Sequence, residues 1–403
     1  MNGYGRRDTG FVVGAVSFAH FFSHLFLLAY PPLFPLLAAE FGASTTRLGL
    51  LITAIYVPQL LLQLPLGGVV DRLGAKWILV SGLAITSLSI GGSGLSTSYW
   101  MLLGLAFVSG IGQSVFHPAD YALLEAVTTP ENEGMGFSAH TFGGFAGFAA
   151  APLMTGGIGL AIGWRTALVS IGVLGGLVAL GVALTIEPVH ARHIEPAPGR
   201  SGQGTVRQMA AFLKRGDLLL VFAFYLVSMM ALVGLQSFTT VLAVDGYGFT
   251  EPAANTLLTG HLTATAVGVV AGGPLADRAS FRWVVVGGFV LAAAGVGGLV
   301  VGVPEISFLL AFALLAAIGF LFGLALPSRD KFANSVVDPD AVGRSFGFFF
   351  TGLSLGAVVS PTLLGLIIDI WSSTVAFVAV GGLLLVAASV VVVAVYTSSA
   401  PET

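Results

Sequence analysis

The chain has 403 residues, of which 56% are hydrophobic and only 9% are charged, and its formal net charge is −3. Soluble domains carry about a quarter charged residues, so this composition excludes a protein whose main solvent is water. The small net charge argues against a nucleic-acid partner. The sequence contains no cysteine, which excludes disulfides, thiolate metal sites and cysteine nucleophiles.

Twelve apolar segments are each long enough to cross a lipid bilayer as a helix. Crossing about 30 Å of hydrocarbon takes about 20 mostly apolar residues. The predicted spans cover residues 11–39, 46–70, 77–96, 99–125, 135–158, 164–186, 217–243, 252–276, 283–303, 306–328, 342–369 and 373–397. The first follows Arg6 and Arg7, as a secretory signal would, but it runs to about residue 39 without a convincing cleavage site, so we interpret it as a retained helix.

The basic residues indicate the orientation of these spans, because Lys and Arg in short loops stay preferentially in the cytoplasm. With the N-terminus inside, Arg47 and Arg165 fall outside, and the other 14 of the 16 basic residues fall at the cytoplasmic face. This distribution predicts an even number of spans with both termini in the cytoplasm. We expect a multi-pass protein of the cell membrane.

A polar stretch rich in proline and glycine separates spans 6 and 7 and divides the chain nearly in half. It is typical of a flexible cytoplasmic linker. We therefore predict an N-terminal six-helix bundle over residues 1–186, a linker over 187–216 and a C-terminal six-helix bundle over 217–403. Three sets of residues recur in the second half and predict an internal repeat. Gly67, Asp71 and Arg72 recur 206 residues later as Gly273, Asp277 and Arg278. Gly110 with Pro118 recurs 209 residues later as Gly319 with Pro327, and Gly147 with Pro152 recurs at the same distance as Gly356 with Pro361.

The segment after span 2, Gly67-x-x-x-Asp71-Arg72-x-Gly74-x-Lys76, resembles the signature loop of the major facilitator superfamily. With the twelve spans, the linker and the second copy of the loop, the resemblance covers essentially the whole chain. It implies an all-α membrane fold of twelve transmembrane helices in two pseudo-symmetric six-helix bundles. It also implies a transporter rather than an enzyme, without a cofactor.

The resemblance further implies a gate at the cytoplasmic mouth. Gly67 would let two helices approach closely, and the Asp71 carboxylate would accept hydrogen bonds at a helix start near Arg344. By the repeat, Asp277 would face the start of span 5. The alternative interpretation is a turn that only fixes the topology. The predicted gating residues are Gly67, Asp71, Arg72, Asp277, Arg278 and Arg344.

Span 5 contains glycines and a proline in a pattern similar to the fifth helix of drug–proton antiporters of the superfamily. Small residues permit tight packing and a proline permits a bend, so Gly147, Pro152 and Gly156 are predicted to form a hinge. Ordinary close packing of membrane helices is the alternative.

Span 4 contains Ser-Val-Phe-His-Pro, which ends at His117 and Pro118 and is similar to the fourth helix of fosmidomycin-resistance efflux transporters. His20-Phe21 in span 1, with the Tyr30-Pro31 region that follows, is similar to their first helix. The sequence departs from that family where His24 and Ala119 replace expected acids, although Asp120 follows one residue later.

Ionisable groups inside a bilayer are costly unless they are paired or hydrated, so each one is a functional candidate. His20 and His24 lie one turn apart on span 1, and His117 and Asp120 are neighbours on the surface of span 4. In the superfamily spans 1, 4, 7 and 10 line the cavity, and the resemblance implies that these four side chains do so. Because histidine titrates near neutral pH, they are predicted to exchange protons. His140 in span 5 is interpreted as a hydrogen-bonded packing residue.

Four more residues are candidates for contact with protons or substrate. His261 projects from span 8 near the midplane, Gln113 and Gln236 could supply hydrogen bonds, and Arg329 could reach inward from the end of span 10 to meet an anion. No catalytic residue and no resident metal site is predicted.

The leading hypothesis is export of a small amphipathic compound in exchange for protons, by a monomer in the lipid bilayer. The alternative is transport of a metal ion or a small organic anion that uses the same histidines. A more distant possibility is a receptor or membrane enzyme that does not transport. The sequence contains no Walker-type phosphate loop and no hydrolase nucleophile elbow, so neither ATP-driven pumping nor catalysis has support.

Overall fold

The structure is a computed structural model, and it describes residues 6–129, 131–187, 212–303, 305–337 and 342–397. Within these ranges the side chains of residues 6–8, 64, 71, 342 and 343 are not described. The greater part of the predicted linker, residues 188–211, therefore lies outside the described residues.

Twelve helical segments of the described chain are long and apolar enough to cross a membrane, which confirms the predicted number of spans. Since lipid offers no hydrogen bonds to the backbone, each span must satisfy its own N–H and C=O groups, and a helix does so. The spans are Thr9–Phe41, Thr45–Gln63, Ala75–Ser93, Tyr99–Val127, Glu133–Ile162, Trp164–Thr185, Gly216–Gly246, Glu251–Arg278, Phe281–Val301, Phe308–Asn334, Arg344–Ile370 and Ser373–Thr397. The helix of span 2 continues to Leu73.

Several spans are interrupted where prolines remove a backbone donor. Span 1 consists of a helix over Arg6–Leu27, a 3-10 turn over Pro31–Leu33 and a helix over Phe34–Phe41. Span 4 divides into Tyr99–Gln113 and Phe116–Val127, because Pro118 cannot donate to the carbonyl group four residues earlier. Span 5 contains a π-helical turn over Pro152–Gly156 between Glu133–Ala151 and Gly157–Ile162. Span 7 ends in a π-helical turn that contains no proline, Leu242–Gly246, after Gly216–Val241.

The signature segment of span 2 differs from its predicted form as a loop. Gly67, Asp71 and Arg72 belong to the last turns of the span-2 helix, which ends at Leu73, and span 3 begins at Ala75. The reversal takes place at Gly74, whose φ of 86° lies in the left-handed region that glycine adopts at little cost. The turn is therefore a single residue long.

The chain forms two compact units. Unit 1 contains the described residues of Met1–His193 together with Phe249–Thr259, and unit 2 contains those of Ile194–Gly248 and Gly260–Thr403. In unit 1, span 1 packs on span 5, span 3 on span 6, and span 2 on span 4. In unit 2, span 7 packs on spans 11 and 12, and span 9 packs on spans 10 and 12.

The repeated glycines mark equivalent places where two helix backbones touch. A Cβ at Gly110 would meet the carbonyl oxygen of Ile55, and one at Gly319 would meet that of His261, which is 206 residues later (261 − 55). In the same way Gly147 faces the carbonyl oxygen of Phe21, and Gly356 faces that of Leu226. Close approach of this kind is how membrane helices gain packing energy without a hydrophobic driving force. The glycines of two of the three repeated landmarks are thus packing contacts within each unit, whereas a Cβ at Gly67 or Gly273 would meet no described atom within 4 Å.

Candidate functional site

A buried carboxylate in unit 1 is hydrogen-bonded to two histidines from two other spans. Asp120 Oδ2 lies 3.0 Å from His20 Nδ1 and 3.0 Å from His140 Nε2. All three side chains are buried, with Asp120 0% exposed. The imidazole rings of His20 and His140 stack with their centroids 3.8 Å apart. We call these three residues the core triad.

Two further imidazoles lie beside the His20 ring of the core triad. The ring centroid of His24 lies 4.4 Å from that of His20, and the ring centroid of His117 lies 5.4 Å from it. Both are only partly buried. His24 Nδ1, His117 Nδ1 and Asp120 Oδ1 are buried and accept or donate no hydrogen bond within the described part of the chain. Four imidazoles and one carboxylate therefore form a single polar cluster within three spans.

Glycines on span 5 allow span 1 to approach closely enough for this cluster to form. A Cβ at Gly143 would lie 2.5 Å from the carbonyl oxygen of Ser17, and one at Gly147 would meet that of Phe21. Gly144 lies directly beneath the imidazoles, because a Cβ there would be 2.7 Å from His24 Cε1 and 2.9 Å from His20 Cδ2. No larger residue fits at Gly144 without displacing the rings.

Gln113 holds spans 1 and 4 together beside the cluster. The Ser23 hydroxyl donates to Gln113 Oε1 at 2.7 Å, and Gln113 Nε2 donates to the Ser23 carbonyl oxygen at 2.8 Å. This reciprocal pair uses the polar groups that were predicted to meet a substrate. In the structure Gln113 therefore positions span 1 against span 4.

The partners of Asp120 differ from those expected. The spacing on span 4 predicts contact with His117, but the carboxylate bonds instead to His20 and His140. Because Asp120 is fully buried, its oxygens point into the interface with spans 1 and 5. His140, which we interpreted as a packing residue, is a member of the core triad.

The candidates in unit 2 do not belong to this cluster. His261 is fully buried, and its Nδ1 lies 3.1 Å from the Leu315 carbonyl oxygen, so the imidazole bonds span 8 to span 10. Gln236 is buried in span 7. Arg329 donates from Nε to Asp330 Oδ1 at 2.9 Å, and its guanidinium lies 4.8 Å from the centre of the Tyr225 ring.

Among the gating candidates, Asp277 forms an ion pair. Asp277 Oδ1 lies 2.5 Å from Lys331 Nζ, so span 8 binds the end of span 10 within unit 2. At Gly67, where a close helix contact is expected, a Cβ would meet no described atom within 4 Å, and the role of Gly67 in a gate stays a prediction. The side chain of Asp71 lies outside the described residues. The remaining candidates, Arg72, Arg278 and Arg344, are exposed.

Of the hinge candidates in span 5, the two glycines form packing contacts and the proline lies at an irregularity of the helix. Gly147 packs on Phe21, and Gly156 packs on Asn255 of unit 1, whose amide atoms a Cβ would approach to 2.8 Å. Pro152 begins the π-helical turn. Such turns are points where a helix can kink, so the structure locates an irregularity at Pro152, and its role as a hinge remains a prediction.

The core triad consists of one carboxylate and two imidazoles, side chains that can take up and release protons. When Asp120 is ionised, both imidazoles donate N–H groups to one carboxylate oxygen, which leaves His20 Nε2 and His140 Nδ1 as acceptors. Among the described residues the ion-pair partners of Asp120 are these two histidines, and no Lys or Arg pairs with it. The three ligand atoms also lie within 4.8 Å of one another, close enough for a transition metal to replace the protons.

A hydrogen-bonded, titratable cluster inside a helical membrane protein is characteristic of transporters. Consistent with that class, the family model of the Major Facilitator Superfamily matches residues 16–254 and 243–403. The chain belongs to this superfamily of transporters, which confirms that it is a membrane transporter and not an enzyme.

Two known proteins are similar along nearly the whole chain, and a third along more than half of it. The MFS-type transporter YfnC of Bacillus subtilis (strain 168) is 24% identical over 91% of this chain and 88% of its own length. The fosmidomycin resistance protein of Escherichia coli (strain K12) is 24% identical over 89% of this chain and 86% of its own length. The predicted resemblance to that branch is confirmed. The multidrug efflux protein YfmO of Bacillus subtilis (strain 168) is 26% identical over 59% of this chain and 57% of its own.

Solved structures confirm the fold. A bacterial homolog of the human lysosomal transporter Spinster, in an inward-facing and occupied conformation, matches with a TM-score of 0.81 at 15% identity, over 98% of both chains. The nucleoside transporter NupG matches with a TM-score of 0.78 at 13% identity, over 97% of this chain and 100% of its own.

Proposed function

We propose that the protein exports a small amphipathic compound in exchange for protons, and that the core triad of His20, Asp120 and His140 holds the coupling proton. The transporter is proposed to act as a monomer in the cell membrane, with both termini in the cytoplasm. Transport proceeds by alternating access, in which binding of the proton and of the compound favours different conformations.

The single observation that supports this proposal most strongly is the hydrogen bonding of Asp120. An isolated carboxylate in hydrocarbon costs several kcal/mol, so a chain retains one inside the membrane where its charge is used. Two N–H donors on one oxygen stabilise the ionised form, while the unpartnered Oδ1 remains able to take up a proton. The group can therefore exist in both states within the same surroundings.

Export rather than uptake is favoured by the names of the relatives. The fosmidomycin resistance protein and a multidrug efflux protein both match the chain. An amphipathic cargo suits a chain in which 56% of the residues are hydrophobic, because ligand pockets are mostly apolar with a few polar groups.

Inverted membrane vesicles test the proposal. Uptake of fosmidomycin and of a panel of amphipathic dyes is measured with and without an imposed pH gradient, for wild type and Asp120→Asn. We expect the gradient to raise wild-type uptake and to have no effect on Asp120→Asn. His261→Gln serves as the matched control, since His261 is a buried membrane histidine of the other unit. Gradient-driven uptake that survives in Asp120→Asn contradicts the proposal.

A transition-metal cargo is the second candidate, and the short distances between the three ligand atoms favour it. The hydrogen bonds favour the proton. An ionised Asp120 can only accept, so each ring nitrogen 3.0 Å from Oδ2 would direct an N–H group at it and keep no lone pair there for a metal. The same vesicles separate the two functions. Accumulation of Zn²⁺ or Co²⁺ that requires His20 and His140, without any effect on dyes, would support metal transport instead.

A further inference from the structure

The titratable side chains of the cluster lie in two layers. His20, Asp120 and His140 are almost completely buried, whereas His24 and His117 are partly exposed at the surface of unit 1. A buried carboxylate can serve transport only if its proton is exchanged with water in every cycle. A group that reaches the surface must therefore pass the proton inward.

His20 contacts both layers. Its ring lies 4.4 Å from the ring of His24 and 5.4 Å from that of His117, while its Nδ1 is bonded to Asp120. His24 follows His20 by one helical turn, about 6 Å along span 1 at 1.5 Å per residue. It therefore lies further towards the Leu27 end of the helix. The ring of His24, tilted by 51° against that of His20, extends the cluster in that direction.

Imidazole chemistry allows His20 to act as a relay. Neutral His20 donates its Nδ1–H to Asp120 Oδ2 and keeps a lone pair on Nε2. When a proton binds at Nε2, the Nδ1 proton can move to Oδ2. His20 is then neutral again in its other tautomer, and Asp120 is protonated. One proton has entered and one has been passed on, and the reverse sequence releases it.

We infer that His24 and His117 form the proton entrance of the transporter and that His20 passes protons from them to Asp120. This inference rests on the proposed function, because it takes Asp120 as the place where the coupling proton is held. It assigns distinct tasks to the five residues: His24 and His117 exchange protons with water, His20 transfers them, and Asp120 with His140 holds them.

The surrounding helices supply few competing titratable groups. Tyr121 in span 4 contacts the rings of His117 and His140, with centroids 5.7 and 5.6 Å apart. Spans 3 and 6 also pack on span 1. Their titratable groups are Lys76, which lies over the Trp77 ring, and Arg165, which is paired with Glu40. Both lie in the first turn of their span.

The rate at which Asp120 takes up a proton after a pH jump tests the inference without any cargo. Time-resolved infrared spectroscopy on the purified full-length protein follows the carboxyl C=O band, assigned to Asp120 by its loss in Asp120→Asn. The variants are His24→Gln, His117→Gln and the double variant, because glutamine keeps hydrogen-bonding atoms but does not titrate. His261→Gln is the control with the same substitution in unit 2.

We expect protonation of Asp120 to be at least about tenfold slower in the double variant, as after removal of a general acid–base group, while the final intensity of the Asp120 band is unchanged. In His261→Gln we expect the wild-type rate. Imidazole added to the buffer should restore the rate in a His24→Ala, His117→Ala double variant, an effect that a purely structural role does not produce. An unaltered rate in the double variant, or a slow rate that imidazole does not restore, overturns the inference. A wild-type protein without an Asp120 band would contradict the proposed function itself.

Discussion

Replacing Gly144 by alanine should disturb the cluster without removing any of its titratable groups. The new Cβ would lie 2.7 Å from His24 Cε1, 2.8 Å from His24 Nδ1 and 2.9 Å from His20 Cδ2. To restore an ordinary contact of 3.4 Å, the rings must retreat by about 0.5 to 0.7 Å. His20 is held 3.0 Å from Asp120, so the same retreat would stretch that hydrogen bond to about 3.5 Å, the limit at which it still counts as one.

The size of the effect follows from the energy of that bond. A hydrogen bond to a charged group contributes about 1.5–3 kcal/mol, which corresponds to a change of about 10- to 150-fold in the affinity of Asp120 for a proton. Overpacking should also lower thermal stability by about 1–3 kcal/mol, offset by about 1 kcal/mol of helix propensity. The assays are gradient-driven uptake in vesicles at several pH values and thermal unfolding in detergent.

Gly157→Ala is the matched control for this prediction. Gly157 lies in the same span, and a Cβ there would meet no described atom within 4 Å. We expect Gly157→Ala to transport like the wild type. If Gly144→Ala and Gly157→Ala show the same pH dependence of transport, the close fit between Gly144 and the imidazoles does not control the site, and the reasoning is refuted.

Three further predictions concern the scaffold. Gly147→Ala and Gly356→Ala should each lower the thermal unfolding temperature more than Gly157→Ala does, because the new Cβ meets a backbone carbonyl that cannot rotate away; equal values for all three variants would contradict this. A double-mutant cycle of Asp277→Asn and Lys331→Met should give a coupling energy of only about 0.2–1 kcal/mol, because the pair is exposed. This coupling energy should fall as salt is added. A larger, salt-independent coupling energy would indicate a buried gate. Pro152→Ala restores a backbone donor, so it should straighten the π-helical turn, raise thermal stability and slow transport, whereas unchanged transport would exclude a hinge there.

The number of spans and the family could be predicted from the sequence because both depend on short-range patterns. A bilayer requires about 20 apolar residues in a row, and a run of that length is visible without any knowledge of tertiary structure. The repeat was also visible, since Gly110 and Gly319, like Gly147 and Gly356, hold equivalent backbone contacts. Close approach of two helices leaves a signature in the sequence because only glycine permits it.

The partners within the cluster could not be predicted in the same way. His140 lies 20 residues from Asp120, and His20 lies 100 residues from it. Which side chain meets the carboxylate depends on how spans 1, 4 and 5 rotate and pack. The spacing of His117 and Asp120 places them on neighbouring turns of span 4, but it does not show that Asp120 faces spans 1 and 5.

The surroundings of Gln113 and Gly67 likewise depend on how the spans pack. The hydrogen bonds of Gln113 could not be predicted, because its partner, Ser23, is 90 residues away and on another span. A glycine such as Gly67 often marks a close helix contact, but the sequence does not show which helix would approach it, and no described atom lies within 4 Å of a Cβ there. One feature of the sequence could have indicated the contacts of His140. Gly144 lies one helical turn after it, and a glycine at that position leaves room for an imidazole from a neighbouring span.

The most direct test of the central claim is the movement of protons driven by cargo alone. Purified protein in liposomes is given an outward gradient of a transported compound at equal pH on both sides, and a pH-sensitive dye records the internal pH. If protons are exchanged for cargo at Asp120, the compound will leave wild-type liposomes as protons enter, and the pH change will be absent in Asp120→Asn. Cargo movement without any pH change in the wild type, or the same pH change in Asp120→Asn, would contradict the claim.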